Sequence, residues 1–158
     1  LACVVGYARA KSSVDLTEND WRVTLQCNLG YITQSLEVLN GNILKSENNK
    51  VITIGSRWSL RRDCPLLLPY IEAKHQLRSF VESKHGNPKM SCYCVPPMET
   101  PGCNAVINSF QELGISEFPS GKFGDVNTIA KSIVDHNLTN QSSGRTYRLS
   151  SRGRINLI

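Results

Sequence analysis

The chain has 158 residues, of which 40% are apolar and 20% charged, and it carries a net charge of +5. This length allows one domain or a large part of one, and the apolar content supports a packed core and excludes a disordered chain. No membrane span is expected, since no apolar run is long enough, and no nucleic-acid partner, since no basic stripe interleaved with aromatics is present.

In chain order, residues 1–5 predict a short buried strand ending at Gly6. The chain opens on Leu1 inside an apolar run, so a processed product, a fragment or a chain without its front is expected. Residues 7–16 read as a polar connection. Thr17-Glu-Asn-Asp20 matches a capping box with Asp in the usual Glu position. The helix that it opens carries Trp21, Leu25, Leu29, Ile32, Leu36 and Leu39 at helical spacing and stops near Asn40-Gly41-Asn42. A polar loop over 43–50 leads to a β-branched strand over 51–55. Ser56 then stands at the strand's carboxyl end, where open α/β sheets place their sites.

Pro69 starts a helix with Tyr70, Ala73, Leu77, Phe80 and Val81 on its buried side, ended by Gly86-Asn-Pro88. Residues 90–95 predict a strand stopped by Pro96-Pro97. Residues 98–124 read as a loop with one short helix over 104–113. A helix over 126–138 directs Ile129, Ile133 and Val134 inward, and residues 146–149 form a last strand. The alternation predicts an α/β fold, a parallel sheet flanked by helices, without repeats or a domain linker.

Cys3, Cys27, Cys92 and Cys94 lie in apolar segments and read as buried free thiols, which implies a reducing, intracellular compartment such as cytoplasm or an organelle matrix. Cys92-Tyr93-Cys94 has no zinc-type partner pair, so no metal site is expected. Two basic groups stand out, Arg57, Arg61 and Arg62, and the tail set Arg145, Arg148, Arg152 and Arg154. They read as solvated surface, with a patch for phosphate, nucleic acid or an acidic partner as the alternative.

Tyr70 and Lys74 carry the chemistry. At a spacing of i, i+4 on a helix they share one face, and an ammonium beside a phenol is expected to lower the phenol's pKa. Ser56 offers a hydroxyl to orient a carbonyl, and Asn28, inside an apolar helix, predicts a specific water or backbone contact. The set suits proton transfer at an alcohol or ketone oxygen. Trp58 and Leu66–Leu68 flank it and read either as the lining of an apolar substrate pocket or as packing.

These residues and their order resemble the carboxyl-terminal half of the short-chain dehydrogenase/reductase family. Asn28 in Cys27-Asn-Leu-Gly30, the strand Val51-Ile-Thr-Ile-Gly-Ser56, Tyr70-x-x-x-Lys74 and Val95-Pro-Pro-Met-Glu-Thr100 carry the resemblance. The last stretch is similar to the branch reducing 3-ketosphinganine, and the strand before Ser56 to 3-oxoacyl-carrier-protein reductases. The resemblance implies a Rossmann-type sheet, NAD or NADP as cofactor, and catalytic roles for Asn28, Ser56, Tyr70 and Lys74. It also implies cofactor contacts for Gly6, Tyr70, Lys74, Pro96 and Thr100. The family's glycine-rich phosphate loop and first βαβαβ unit are not in this sequence, and Pro97 replaces a glycine. Cofactor binding is therefore expected only with a complementing nucleotide-binding segment or companion chain, within an oligomer or larger assembly. A small apolar carbonyl compound is the expected substrate. The alternative is a non-catalytic scaffold derived from such an enzyme.

Overall fold

A computed structural model describes residues 1–43, 49–61, 63–86, 88–119 and 121–158. Five strands form one sheet in the order β1-β2-β3-β4-β5. They are β1 (Ala2–Cys3), β2 (Lys50–Ser56), β3 (Lys89–Val95), β4 (Arg145–Leu149) and β5 (Ile155–Leu157). The first four are mutually parallel, and β5 runs antiparallel to β4. The helices are α1 (Glu18–Leu25), α2 (Tyr31–Ile43), α3 (Trp58–Arg61), α4 (Leu68–Glu82), α5 (Pro101–Glu112) and α6 (Val126–Thr139). The expected α/β architecture is present, with the sheet mixed rather than purely parallel.

Strand β3 shows why two layers of helix are needed. Alternate side chains of a strand point to opposite faces. Met90, Cys92 and Cys94 pack with Leu77 and Val81 of α4 and with Val51 and Cys3. Tyr93 and Val95 pack on the other face with Ile129 and Ile133 of α6 and with Tyr147 and Leu149. A third apolar group joins Leu67 and Ile71 to Val106 and Phe110 of α5 and to Ala10, beyond the carboxyl ends of the strands. The capping box that starts α1 is present in both directions between Thr17 and Asp20.

Several expectations are corrected. The first strand is not buried through residue 5: only Ala2 and Cys3 pair with β2, and Val4 and Val5 are exposed. Past Cys3 the chain leaves the sheet to form one wall of a cleft, and β1 pairs on one side only among the described residues. Strand β5 was not expected. It folds back through a tight turn in which Gly153 takes φ 75° and Ser150 N donates to Arg154 O. Val134 faces solvent because Ile129 and Ile133 already fill the inner stripe of α6. Cys27 is half-buried, while all six cysteines are free. Helix α5 begins at Pro101, three residues early, since Thr100 caps it. Helix α2 continues to Ile43. The loop expected over 43–50 falls mostly outside the described residues, as do Arg62 and Asn87 of the expected basic group and helix stop.

Gly55 is the tightest point of the sheet beside the site. A Cβ there would stand 2.8 Å from Cys92 Sγ and 2.9 Å from Cys94 Sγ, both fully buried. Gly55→Ala is expected to destabilise the fold by about 1–3 kcal/mol through overpacking, read as a lower urea midpoint with unchanged slope. An unchanged midpoint would mean the two thiols rotate away freely.

Candidate active site

The carboxyl ends of β1, β2 and β3 and the first turns of α4 and α5 enclose one cleft of about 380 Å³. Its lining includes Gly6, Ser56, Tyr70, Lys74, Pro96 and Thr100, so the structure brings the expected site residues together. Asn28 stands just behind the Gly6 wall.

Ser56 closes β2 and is 6% exposed. Its backbone and its hydroxyl are each held by a residue of α3. Ser59 Oγ donates to Ser56 O at 2.6 Å, and Trp58 N donates to Ser56 Oγ at 3.3 Å. The Ser56 hydroxyl lies close enough to the Tyr70 phenol to favour its ionised form. Tyr70 lies in the first turn of α4, which starts cleanly because Pro69 needs no N–H partner there. Trp58 meets the Tyr70 ring edge-on at 6.3 Å.

One turn further on, Lys74 is 4% exposed. Its Nζ donates to Ile54 O at 2.9 Å and lies 5.9 Å from the centre of the Tyr70 ring. Burial pulls the Lys74 pKa down to about 8, against the small opposing influence of Cys92 and Cys94. Burial likewise pushes the Tyr70 phenol up, with the Ser56 hydroxyl working in the other direction. This corrects the expectation of a phenol lowered by its lysine. Desolvation disfavours the charged form of both groups, and it is the leading influence on each. At neutral pH the phenol is therefore protonated and able to donate.

Asn28 is fully buried where the α1–α2 helix loosens into a single π turn, Gln26–Gly30. Asn28 Nδ2 donates to Tyr7 O at 2.6 Å and to Thr24 O at 2.9 Å. A side chain that takes the carbonyl one turn back competes with the helical ladder, which is how such a bulge arises. Asn28 Oδ1 has no hydrogen-bond partner among the described residues. It faces Gly6, where a Cβ would come within 2.8 Å of Asn28 Oδ1 and 3.4 Å of Lys74 Nζ. Gly6 thus keeps a narrow space open between the two.

Thr100 lines the cleft and also caps α5, accepting from Cys103 N at 3.2 Å. Pro96 packs against Gly124, whose N donates to Pro97 O at 2.9 Å. The opposite wall is apolar, with Trp58, Met98, Val106 and Phe118. Trp58 takes the expected place, whereas Leu66–Leu68 stay outside the lining: Leu66 and Leu67 pack in the core and Leu68 is partly exposed. Arg57, Cys103 and Phe118 were not expected in the site. Phe118 has no motif around it, and only its 5.2 Å edge contact with Trp58 reveals it.

Over 134 residues the chain is 25% identical to the BbsD subunit of a hydroxy(phenyl)methylsuccinyl-CoA dehydrogenase from Thauera aromatica, covering 82% of this chain and 53% of that protein. It superposes with a TM-score of 0.79, at 11% identity, on a 3-ketoacyl-(acyl-carrier-protein) reductase from Brucella melitensis complexed with NADH, over 98% of this chain and 66% of that one. A variant of the actinorhodin polyketide ketoreductase, solved with NADPH, gives a TM-score of 0.62 at 18% identity over 71% of this chain and 46% of that one. No family model matches. The chain is similar to the short-chain dehydrogenases/reductases. It spans about half the length of the curated relative that it matches. No helix among the described residues is long and apolar enough to cross a membrane, and no group of metal ligands is found among them.

The depressed pKa of Lys74 has a measurable consequence. Between about 8 and the ordinary 10.5, the folded lysine has lost its proton while the unfolded one keeps it. The unfolded state then binds more protons, so stability rises with pH. The unfolding free energy of the wild type minus that of Lys74→Met should climb across this window by on the order of 1–3 kcal/mol. A flat difference would show that Lys74 titrates as an ordinary lysine.

Proposed function

We propose that the chain is the catalytic half of a short-chain-type NAD(P)-dependent reductase or dehydrogenase acting on a ketone or its alcohol. The observation that carries this reading is the convergence of Ser56, Tyr70 and Lys74 on one cleft, with the unpartnered Asn28 Oδ1 directly behind it. The donor set fits a nicotinamide riboside. Gly6, Pro96 and Thr100 share the cleft with Tyr70 and Lys74, and Lys74 has N–H donors left beyond its bond to Ile54 O. When bound, a nicotinamide supplies or accepts the hydride at the carbonyl carbon.

The chain's own residues handle the oxygen. Ser56 Oγ orients the carbonyl by donating to it. The Tyr70 phenol donates its proton to the same oxygen as negative charge develops there. Lys74, with a pKa near 8, is poised to stabilise the phenolate that remains and to help restore its proton. A water held between Asn28 Oδ1 and Lys74 Nζ would continue the path outward, in the space that Gly6 preserves. Because the free phenol is protonated at neutral pH, reduction is the favoured direction there, and alcohol oxidation gains as pH rises. The apolar wall of Trp58, Met98, Val106 and Phe118 suits the acyl or aryl flank of a carbonyl substrate. The relatives' names, a CoA-thioester dehydrogenase subunit and two ketoreductases, support the same substrate chemistry.

The nucleotide end of the cofactor has no glycine-rich loop to hold it in these 158 residues. We take the free edge of β1, with Leu1, Val4 and Val5 exposed, as the place where a nucleotide-binding segment completes the sheet. Native mass spectrometry of the protein from its source should show a second segment and about one NAD(P) per copy; a cofactor-free particle consisting of this chain alone would rule that out.

Tyr70→Phe keeps the ring and removes only the proton. In the completed protein it should lower turnover at least about a hundredfold with the cofactor still bound. Unchanged turnover would remove Tyr70 from the chemistry and leave the scaffold reading.

A further inference from the structure

The two basic groups of the sequence meet in the fold. Arg57 follows Ser56 directly and lines the cleft, and its N donates to Val95 O at 3.1 Å across the end of β3. Arg148 lies on β4, the next strand over, in register with Cys94 of β3. Arg61, one turn along α3, lines the same cleft. The Arg57 guanidinium is pulled below its ordinary pKa by partial burial and then by the charges of Arg148 and Arg61. Arg57 and Arg61 thus line the cleft, and Arg148 stands close enough to Arg57 for its charge to act on it. Arg61 is answered by Asp63 at 2.5 Å, while Arg57 and Arg148 form no ion pair among the described residues.

Like charges brought together and partly desolvated cost free energy unless something answers them. Solvated surface arginines would spread apart. Here the backbone fixes Arg57 at the one position that cannot move away from Ser56. The same lining includes apolar side chains, Phe118 and Trp58 in edge contact among them. The cleft is therefore amphipathic, offering guanidiniums and apolar surface to one ligand.

We infer that Arg57, reinforced by Arg148, is a specificity residue that selects a carbonyl substrate bearing an anionic group, a carboxylate or a phosphate, beyond the reacting carbon. A planar guanidinium matches either group with paired hydrogen bonds. The expected small apolar substrate is thereby refined to an amphipathic one. This rests on the reductase reading for the identity of the reacting group, but its test reads binding and not turnover.

The intact protein from its source is titrated calorimetrically, at low salt, with acetoacetate, acetoacetyl-CoA and the neutral ethyl acetoacetate. At least one of the anionic probes should bind about tenfold or more tightly than the ester, and added salt should erode that advantage. An advantage confined to acetoacetate identifies a carboxylate, and one confined to the CoA thioester a phosphate. Arg57→Gln should abolish the advantage, and Arg57→Lys should keep part of it. If Arg57→Gln does not fold, Arg148→Gln, at an exposed position of β4, decides by reducing the advantage severalfold. Equal binding of all three probes, no binding of any, or an advantage that survives the deciding glutamine variant overturns the inference. Failure of Tyr70→Phe to affect turnover would touch the reductase reading alone and leave this result standing.

Discussion

The site is organised around one buried amine. Lys74 is brought almost out of solvent at the end of a strand, where its hydrogen bond to Ile54 O ties α4 to β2. A lysine has a long stem that normally escapes to water, so holding it there takes rigid neighbours on every side. Asn28 and Gly6 form one side, the Tyr70 ring another, and the thiols of Cys92 and Cys94 the floor. Each belongs to a different element. The π turn, the glycine after β1 and the small side chains of β3 all serve the same small volume.

That arrangement explains why the two central groups are both shifted toward their neutral forms. With the phenol neutral at rest, the site stores little mutual attraction in the ground state. The attraction becomes available when charge forms on oxygen during reaction, which is when it contributes to rate. A site in which Lys74 and Tyr70 were already a strong ion pair would have less to gain.

Much of this was legible in the sequence, for identifiable reasons. The strand over 51–55 and the helix after Pro69 have strong periodicity and clean boundaries, so Ser56, Tyr70 and Lys74 were placed correctly. Asn28 stood out as a polar residue in an apolar helix, but the π turn around it did not, because spacing does not show that its side chain takes the Thr24 carbonyl. Strand β5 was hidden by the polar stretch before it and by its three-residue length. Spacing gives the wrong direction for the Tyr70 shift, because it shows who is adjacent and not how much water has been removed. Arg57 and Arg148 looked like separate surface clusters, since only the parallel register of β2, β3 and β4 puts them side by side.

The short strand β1 has a kinetic consequence. Its two residues pair with Ile52 and Thr53, far along the chain. Contacts that close so long a loop form late and open early, whereas the β4–β5 hairpin is local and quick. The wall bearing Gly6, and the Tyr7 carbonyl that anchors Asn28, therefore hang on the least cooperative element of the sheet. Wherever that edge is left uncovered, fraying there would dismantle the proton path while most of the core stays intact, so loss of function on warming would precede loss of structure.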